Sequence, residues 1–243
     1  MDSNKINVLL ALMIIASFLI SIVLHECAHV IMAGWLGDRT PRAEGRLTLR
    51  IPEHIDPVGL LMCVVLAFQA VGAMPVGLGW GKPVKPDPWK MRVGPNWGLA
   101  LVALAGIVFS LLFGLLVGLV IHFSYLYLDN NGFFLAHLLQ FLIVFACTNI
   151  ALAFFNLIPL YPLDGYQILY AILPNRQASQ FARSATYGPF IILAIFFFLP
   201  FLLQLARVNV FYEPAYYFWL AASNLVGTFI PGGFQSVFFY YTI

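Results

Sequence analysis

His25-Glu26-Cys27-Ala28-His29 lies inside an apolar run that extends from about Ile6 to Leu36. The pattern is H-E-x-x-H. On a helix, residues four apart stand one turn above each other. The His25 and His29 imidazoles therefore leave one face and can share one metal ion. Glu26 projects about 100° further round than His25, within reach of a water at that metal without ligating it. A five-residue pattern with three fixed positions recurs by chance in soluble chains. Two imidazoles and a carboxylate in a hydrophobic span are different: they are costly without a compensating partner, and such groups mark functional sites by default.

Composition supports the membrane reading. The 243 residues are 62% hydrophobic and 9% charged, with a mean hydropathy of +0.91. Soluble domains are about 45–50% apolar and about 25% charged. The chain reads as polytopic, with the lipid bilayer as its first partner. The N-terminal run is too long for the core of a cleavable signal, and the motif lies within it. The net charge of +2 comes without a basic stripe and interleaved aromatics, which argues against nucleic acid as a partner. Cys27, Cys63 and Cys147 all fall in apolar runs and read as free thiols.

Outward from the motif, Asn7 to about Leu36 is a first span. About thirty helical residues reach about 45 Å, enough to cross with tilt. Gly37-Asp38 ends it. Residues 38–57 are polar, and within them Leu47, Leu49 and Ile51 alternate with Arg46, Thr48 and Arg50. That period of two predicts a short strand. It is either a small structural hairpin or an edge to which an extended peptide pairs. Val58–Gly79 is apolar but broken by Gly72, Pro75, Gly77 and Gly79. Further spans are predicted at Trp97 to about Leu128, Phe133–Ile158, Thr186–Ala206 and about Glu213–Ile230. The expected fold is an all-α polytopic membrane protein of about five to six segments with a small β element after the first helix.

Basic residues predict its orientation. Of twelve Lys and Arg, four lie in 38–57, four in 80–96 and two in 174–184. The positive-inside rule places all three loops in the cytoplasm, the N-terminus outside, and the motif toward the cytoplasmic face of the cell membrane. The first two loops share a side only if 58–79 enters and returns, as a re-entrant hairpin or a pair of short helices; an ordinary crossing is the alternative.

Catalytic zinc sites usually carry three protein ligands and one open position. The third is sought in Asn156-Leu157-Ile158-Pro159-Leu160-Tyr161-Pro162-Leu163-Asp164-Gly165. Asp164 falls just past the cytoplasmic end of a span, at the depth expected for the His pair. It is either that ligand or the N-cap of a helix over 165–173. The apolar neighbourhood favours the ligand.

The two motifs together resemble those of the site-2 protease family, intramembrane zinc metalloproteases. Asn156–Gly165 follows the NxxPxxPxDG signature, and Asp164 lies 135 positions beyond His29. Gly79-Trp80-Gly81-Lys82-Pro83-Val84 is similar to a loop that many bacterial members carry between the motifs. The likeness covers about residues 7–172. It implies one Zn2+ per chain held by His25, His29 and Asp164, with Glu26 activating the water and Asn156 orienting or stabilising the reacting carbonyl. It also implies a transmembrane protein substrate, cut within or near the bilayer in regulated proteolysis. The chain then reads as one membrane-embedded metalloprotease domain over 1–243, with a core of about 7–172 and C-terminal membrane segments over about 186–243. Many members carry a Gly-Pro pair followed three residues later by Asn. Here Ile107 and Ser110 stand in the places of that Pro and Asn. The middle helix is therefore expected to pack differently or to give the site less polar contact. A substrate helix must unwind before attack, and the strand over Leu47, Leu49 and Ile51 is the expected pairing partner.

Two other functions compete. A transporter or channel would use the buried His, Glu and Asp as an ion path. A catalytically inactive regulator would keep the metal and tolerate Glu26→Gln. A soluble-type zincin lacks its polar catalytic domain here, and CAAX-processing metalloproteases, with a distant Glu ligand, fit Pro162-Leu163-Asp164-Gly165 poorly. Cys27 reads as a packing thiol, His54 as solvated, and His122 and His137 as flanking the outer turn. Gln69 and Gln140 read as interhelical hydrogen-bonding groups. Phe196–Phe198, Phe238 and Phe239 read as lipid-facing or packing groups. The longest polar segment is about 26 residues. Control is therefore expected through a regulatory partner, through a preceding cleavage of the substrate, or through the loops.

Overall fold

The computed structural model describes residues 8–68, 75–130, 133–207 and 213–242. The chain forms α1 (Val8–Leu36), α2 (Thr40–Ala43), α3 (Pro57–Ala67), α4 (Pro95–Asn130), α5 (Phe133–Phe155), α6 (Asp164–Ile172), α7 (Asn175–Ala182), α8 (Gly188–Leu193), α9 (Leu199–Leu205), α10 (Pro214–Gly227) and α11 (Phe234–Thr242). Local chemistry sets several boundaries. Gly37 ends α1 at φ +113°, a backbone state that favours glycine. Asp56 caps α3 by accepting from the Val58 and Gly59 amides at 2.9 and 3.0 Å, and Pro57 fills the first helical position.

Four helical stretches are long and apolar enough to cross a bilayer: Val8–Leu36, Pro95–Tyr125, Phe134–Phe155 and the continuous run Asn175–Leu205. The last is α7, α8 and α9 joined through a 3-10 turn at Arg183–Tyr187 and a π turn at Ala194–Phe198. With 11 and 14 residues, α3 and α10 span only about 16 and 21 Å, short of the roughly 30 Å hydrocarbon layer. Among the described residues, four stretches are thus of spanning length.

The core lies where α1, α4, α5 and α10 meet. Ile14, Ile143, Phe155 and Trp219 are fully enclosed there. The Phe155 ring packs edge-on against Phe196 and Phe218, with centroids at 5.3 and 5.9 Å. Phe196 is therefore a core residue, whereas Phe198, Phe238 and Phe239 face outward.

The strand expected over Leu47–Ile51 is not formed. The described residues contain no sheet, and Ile51–Glu53 is a 3-10 turn. Side chains take the backbone groups that a ladder would have used. His54 Nε2 donates to the Thr48 carbonyl at 2.7 Å, and the Cys27 thiol reaches the same oxygen at 3.4 Å. The Arg50 amide donates to Thr48 Oγ1, and Arg46 donates to the Glu53 carbonyl. The burial is also inverted from that of an amphipathic strand. Arg46 is enclosed, while Leu47, Leu49 and Ile51 are exposed. His54, expected to be solvated, is fully buried.

Residues 57–68 and 75–82 run back alongside each other. After α3 the chain returns as an extended segment over 75–87. The Val76 amide meets the Leu66 carbonyl, Ile55 and Gly81 form an antiparallel bridge, and the Lys82 amide donates to the His54 carbonyl at 2.8 Å. Both ends of the excursion therefore lie side by side, which is the hairpin alternative and not the crossing. The expected breaker Gly72 and the expected polar contact of Gln69 lie outside the described residues. The returning strap is tied down at its far end, where buried Asp38 accepts from the Asp87 amide at 2.7 Å and the Arg92 amide donates to the Leu36 carbonyl.

Candidate metal centre

The helical period of α1 brings His25, Glu26 and His29 together, with ligand-type atoms within 4.8 Å of one another and all three residues buried. The imidazoles meet nearly at right angles, 88° apart. Asp164 reaches both. Its Oδ2 lies 3.0 Å from His25 Nε2 and its Oδ1 3.2 Å from His29 Nε2. The alternative role of Asp164 is excluded by its position. Leu163 occupies the N-cap of α6, and Asp164 is the first helical residue, its carboxylate near the positive helix end. The turn that delivers it is pinned by the Gly165 amide donating to the Asn156 carbonyl at 2.7 Å.

The outer partners come from α4. His29 Nδ1 lies 2.7 Å from the Val102 carbonyl. A carbonyl only accepts, so Nδ1 carries a proton; in the neutral ring Nε2 then presents its lone pair toward Asp164. Two acceptors then face each other, an arrangement that a cation between them satisfies. Asp164 Oδ2 is buried with no aligned hydrogen-bond donor, and so is Glu26 Oε2. Two lone-pair imidazoles, a carboxylate and orphaned buried oxygens are the donor set and the tautomer that a zinc ion takes. Residues His25, His29 and Asp164 fit as its ligands. Cys27 is turned away toward Thr48.

Ser110 gives the site a polar contact from α4. It is fully buried, and its Oγ lies 2.9 Å from His25 Nδ1. With His25 Nε2 free for a metal, Nδ1–H donates to this oxygen. Gly106, one turn before it, makes the approach of α4 feasible. A Cβ there would lie 2.3 Å from His29 Cε1 and 2.8 Å from His25 Cε1. The sequence pattern alone carried no signal for Val102 and did not place Ser110 against His25, because both contacts depend on the register of α4 against α1. Replacement of Ser110 by Ala is expected to weaken zinc binding about 10- to 100-fold with the fold intact, as loss of an outer-shell partner does; competition against a graded set of chelators measures it.

A cavity of about 50 Å³ opens onto the cluster, lined on one side by Trp80, Gly81, Pro83 and Val84 of the strap and on the other by Asn156, Tyr161, Asp164 and Gln167. Asn156 is buried, and one amide N–H is committed to the Leu152 carbonyl at 2.9 Å. His54 stands behind the strap. Burial pushes its pKa below the ordinary imidazole value, so the neutral ring donates to Thr48. His122 is remote, donating to the Phe229 carbonyl. Leu47, Leu49 and Ile51 sit on the loop beside Arg46, and the edge expected for peptide pairing is absent there.

A bundle of apolar helices holding an H-E-x-x-H pair and a distant aspartate in one buried cluster has the build of a membrane metallopeptidase. The model of peptidase family M50 matches residues 67–199, and the chain belongs to this family, the site-2 proteases. The match includes the Asp164 motif and begins after the His pair, which the geometry supplies. Over 188 residues, 77% of this chain and 80% of the relative, the sequence is 30% identical to a Bacillus subtilis (strain 168) protein named "Putative zinc metalloprotease YwhC". No solved structure matches the chain.

Proposed function

We propose that this protein is an intramembrane zinc endopeptidase that cuts transmembrane protein substrates in or near the bilayer, from a site facing the cytoplasm, as a step in regulated proteolysis. The observation that carries the reading is the convergence of Asp164 with His25, His29 and Glu26, the last three inside a helix of spanning length. Exposed Trp35, Trp89 and Trp97 gather around the end of α1 and the start of α4, beside Lys90 and Arg92. Aromatic residues with adjacent cations favour a membrane interface, and the basic excess favours the cytoplasmic one.

One zinc per chain, when bound, supplies Lewis acidity that acidifies water and polarises a carbonyl. The rest falls to the chain's own groups. His25, His29 and Asp164 hold the metal, and the Val102 carbonyl and Ser110 fix the imidazole tautomers. Glu26 takes a proton from the attacking water and later gives it to the leaving amine. Asn156, at the cavity wall, orients the scissile carbonyl. The strap and α6 admit an unwound segment and exclude bulk water.

The test is hydrolysis of a fluorogenic single-span peptide with a Gly-Pro break, co-reconstituted with the zinc-loaded protein in liposomes. Cleavage that stops on chelation and returns with zinc is expected. No hydrolysis by protein carrying one zinc would overturn the reading in favour of a non-catalytic metal protein.

A further inference from the structure

Arg46 is a buried cation that the metal site does not itself require. Only 7% of it is exposed. Its guanidinium donates to the Glu53 carbonyl from one terminal nitrogen and to the Lys82 carbonyl from the other. The second nitrogen also stands 3.7 Å from Glu26 Oε2. A buried charge persists where it is paired and its donors are used, and the planar guanidinium serves several acceptors at once. Here the acceptors belong to three separate segments: the catalytic helix, the 46–54 loop and the returning strap.

The position of Glu26 gives this arrangement its consequence. Its carboxylate lies within 4.8 Å of the imidazole ligand atoms. A carboxylate so close to two metal ligands competes for the metal's open position, where it would be a ligand and no longer a base. Arg46 attracts it from the 46–54 loop, with a terminal nitrogen 3.7 Å from Oε2. The strap packs against its other oxygen, since even a Cβ at Gly81 would fall 2.8 Å from Glu26 Oε1. The strap in turn is held by the Lys82–His54 and Lys82–Arg46 contacts.

We propose that Arg46 is a positioning residue for Glu26: it holds the carboxylate off the metal as a base and locks the strap over it. This rests on the peptidase reading above. The experiment compares wild type, Glu26→Gln, Arg46→Gln and Arg46→Lys, each as full chain in liposomes with the same fluorogenic peptide. Zinc content and hydrogen exchange of the strap amides are read in parallel. Arg46→Gln is expected to keep wild-type zinc, lower kcat about 100-fold with KM within about twofold, and speed exchange at Gly81 and Lys82. Arg46→Lys retains the charge but not the fork, so exchange rises as in Arg46→Gln while kcat recovers to within about tenfold of wild type. A kcat for Arg46→Gln within about twofold of wild type overturns the proposal, as does a loss that tracks zinc loss. So does a lysine variant no better than the glutamine one, because a purely structural role predicts that equality. Silence in the wild type would remove the peptidase reading and this proposal together. Activity lost in Glu26→Gln alone would remove Arg46 and leave the reading standing.

Discussion

Glu26→Gln is expected to abolish peptide cleavage, with a loss of at least about 1,000-fold, while zinc stays at the wild-type level. Glutamine preserves the shape of the side chain and its place between Arg46 and the strap but cannot accept the proton of an attacking water. General base groups contribute about 10²- to 10⁴-fold, and no second carboxylate among the described residues is placed to substitute. Asp164 is engaged with both imidazoles, and the metal-type cluster otherwise contains only His25, Glu26 and His29. Cleavage assays with zinc quantified in the same samples decide the point. Undiminished cleavage would move the proton transfer elsewhere. An inactive wild type with full zinc would favour the regulator.

Asp164→Ala is expected to empty the metal site, with zinc per chain falling from near one to a small fraction. Asp164 bridges both Nε2 atoms, and removing it leaves two neutral imidazoles. Loss of an outer-shell partner costs about 10- to 100-fold in affinity, and loss of a direct ligand costs more. Elemental analysis of purified wild type and mutant reads this directly. The helical start of α6 should survive, because Leu163 and not Asp164 occupies the N-cap, so thermal unfolding of the two metal-free proteins should differ little. Zinc retained in the mutant would remove Asp164 from the ligand set.

The sequence by itself determined the local part of the site. His25, Glu26 and His29 are placed by the helical period, which needs no tertiary information, and their apolar setting marked them as a candidate site. The membrane class followed from composition, and Asp164 was legible as a candidate because a Pro-rich break delivered it at the right depth. The choice between ligand and cap was tertiary, since it depends on where α6 begins relative to the end of α5.

Other features were decided only by the assembled chain. The alternation at Leu47–Ile51 suggested a strand because periodicity reports side-chain spacing and not the fate of backbone groups. In the fold, His54 and Cys27 take the Thr48 carbonyl and the Thr48 hydroxyl takes the Arg50 amide. The hairpin over 57–82 rested on a charge argument in the sequence, and the Ile55–Gly81 and Leu66–Val76 contacts settled it. Ser110, Val102 and Arg46 reach the site across gaps of 85, 73 and 20 positions, counted from their partners His25, His29 and Glu26. A ligand pair on one helix is fixed by 1.5 Å steps along its own backbone. The groups that meet the two imidazoles and Glu26 come from other elements, and only packing sets their register.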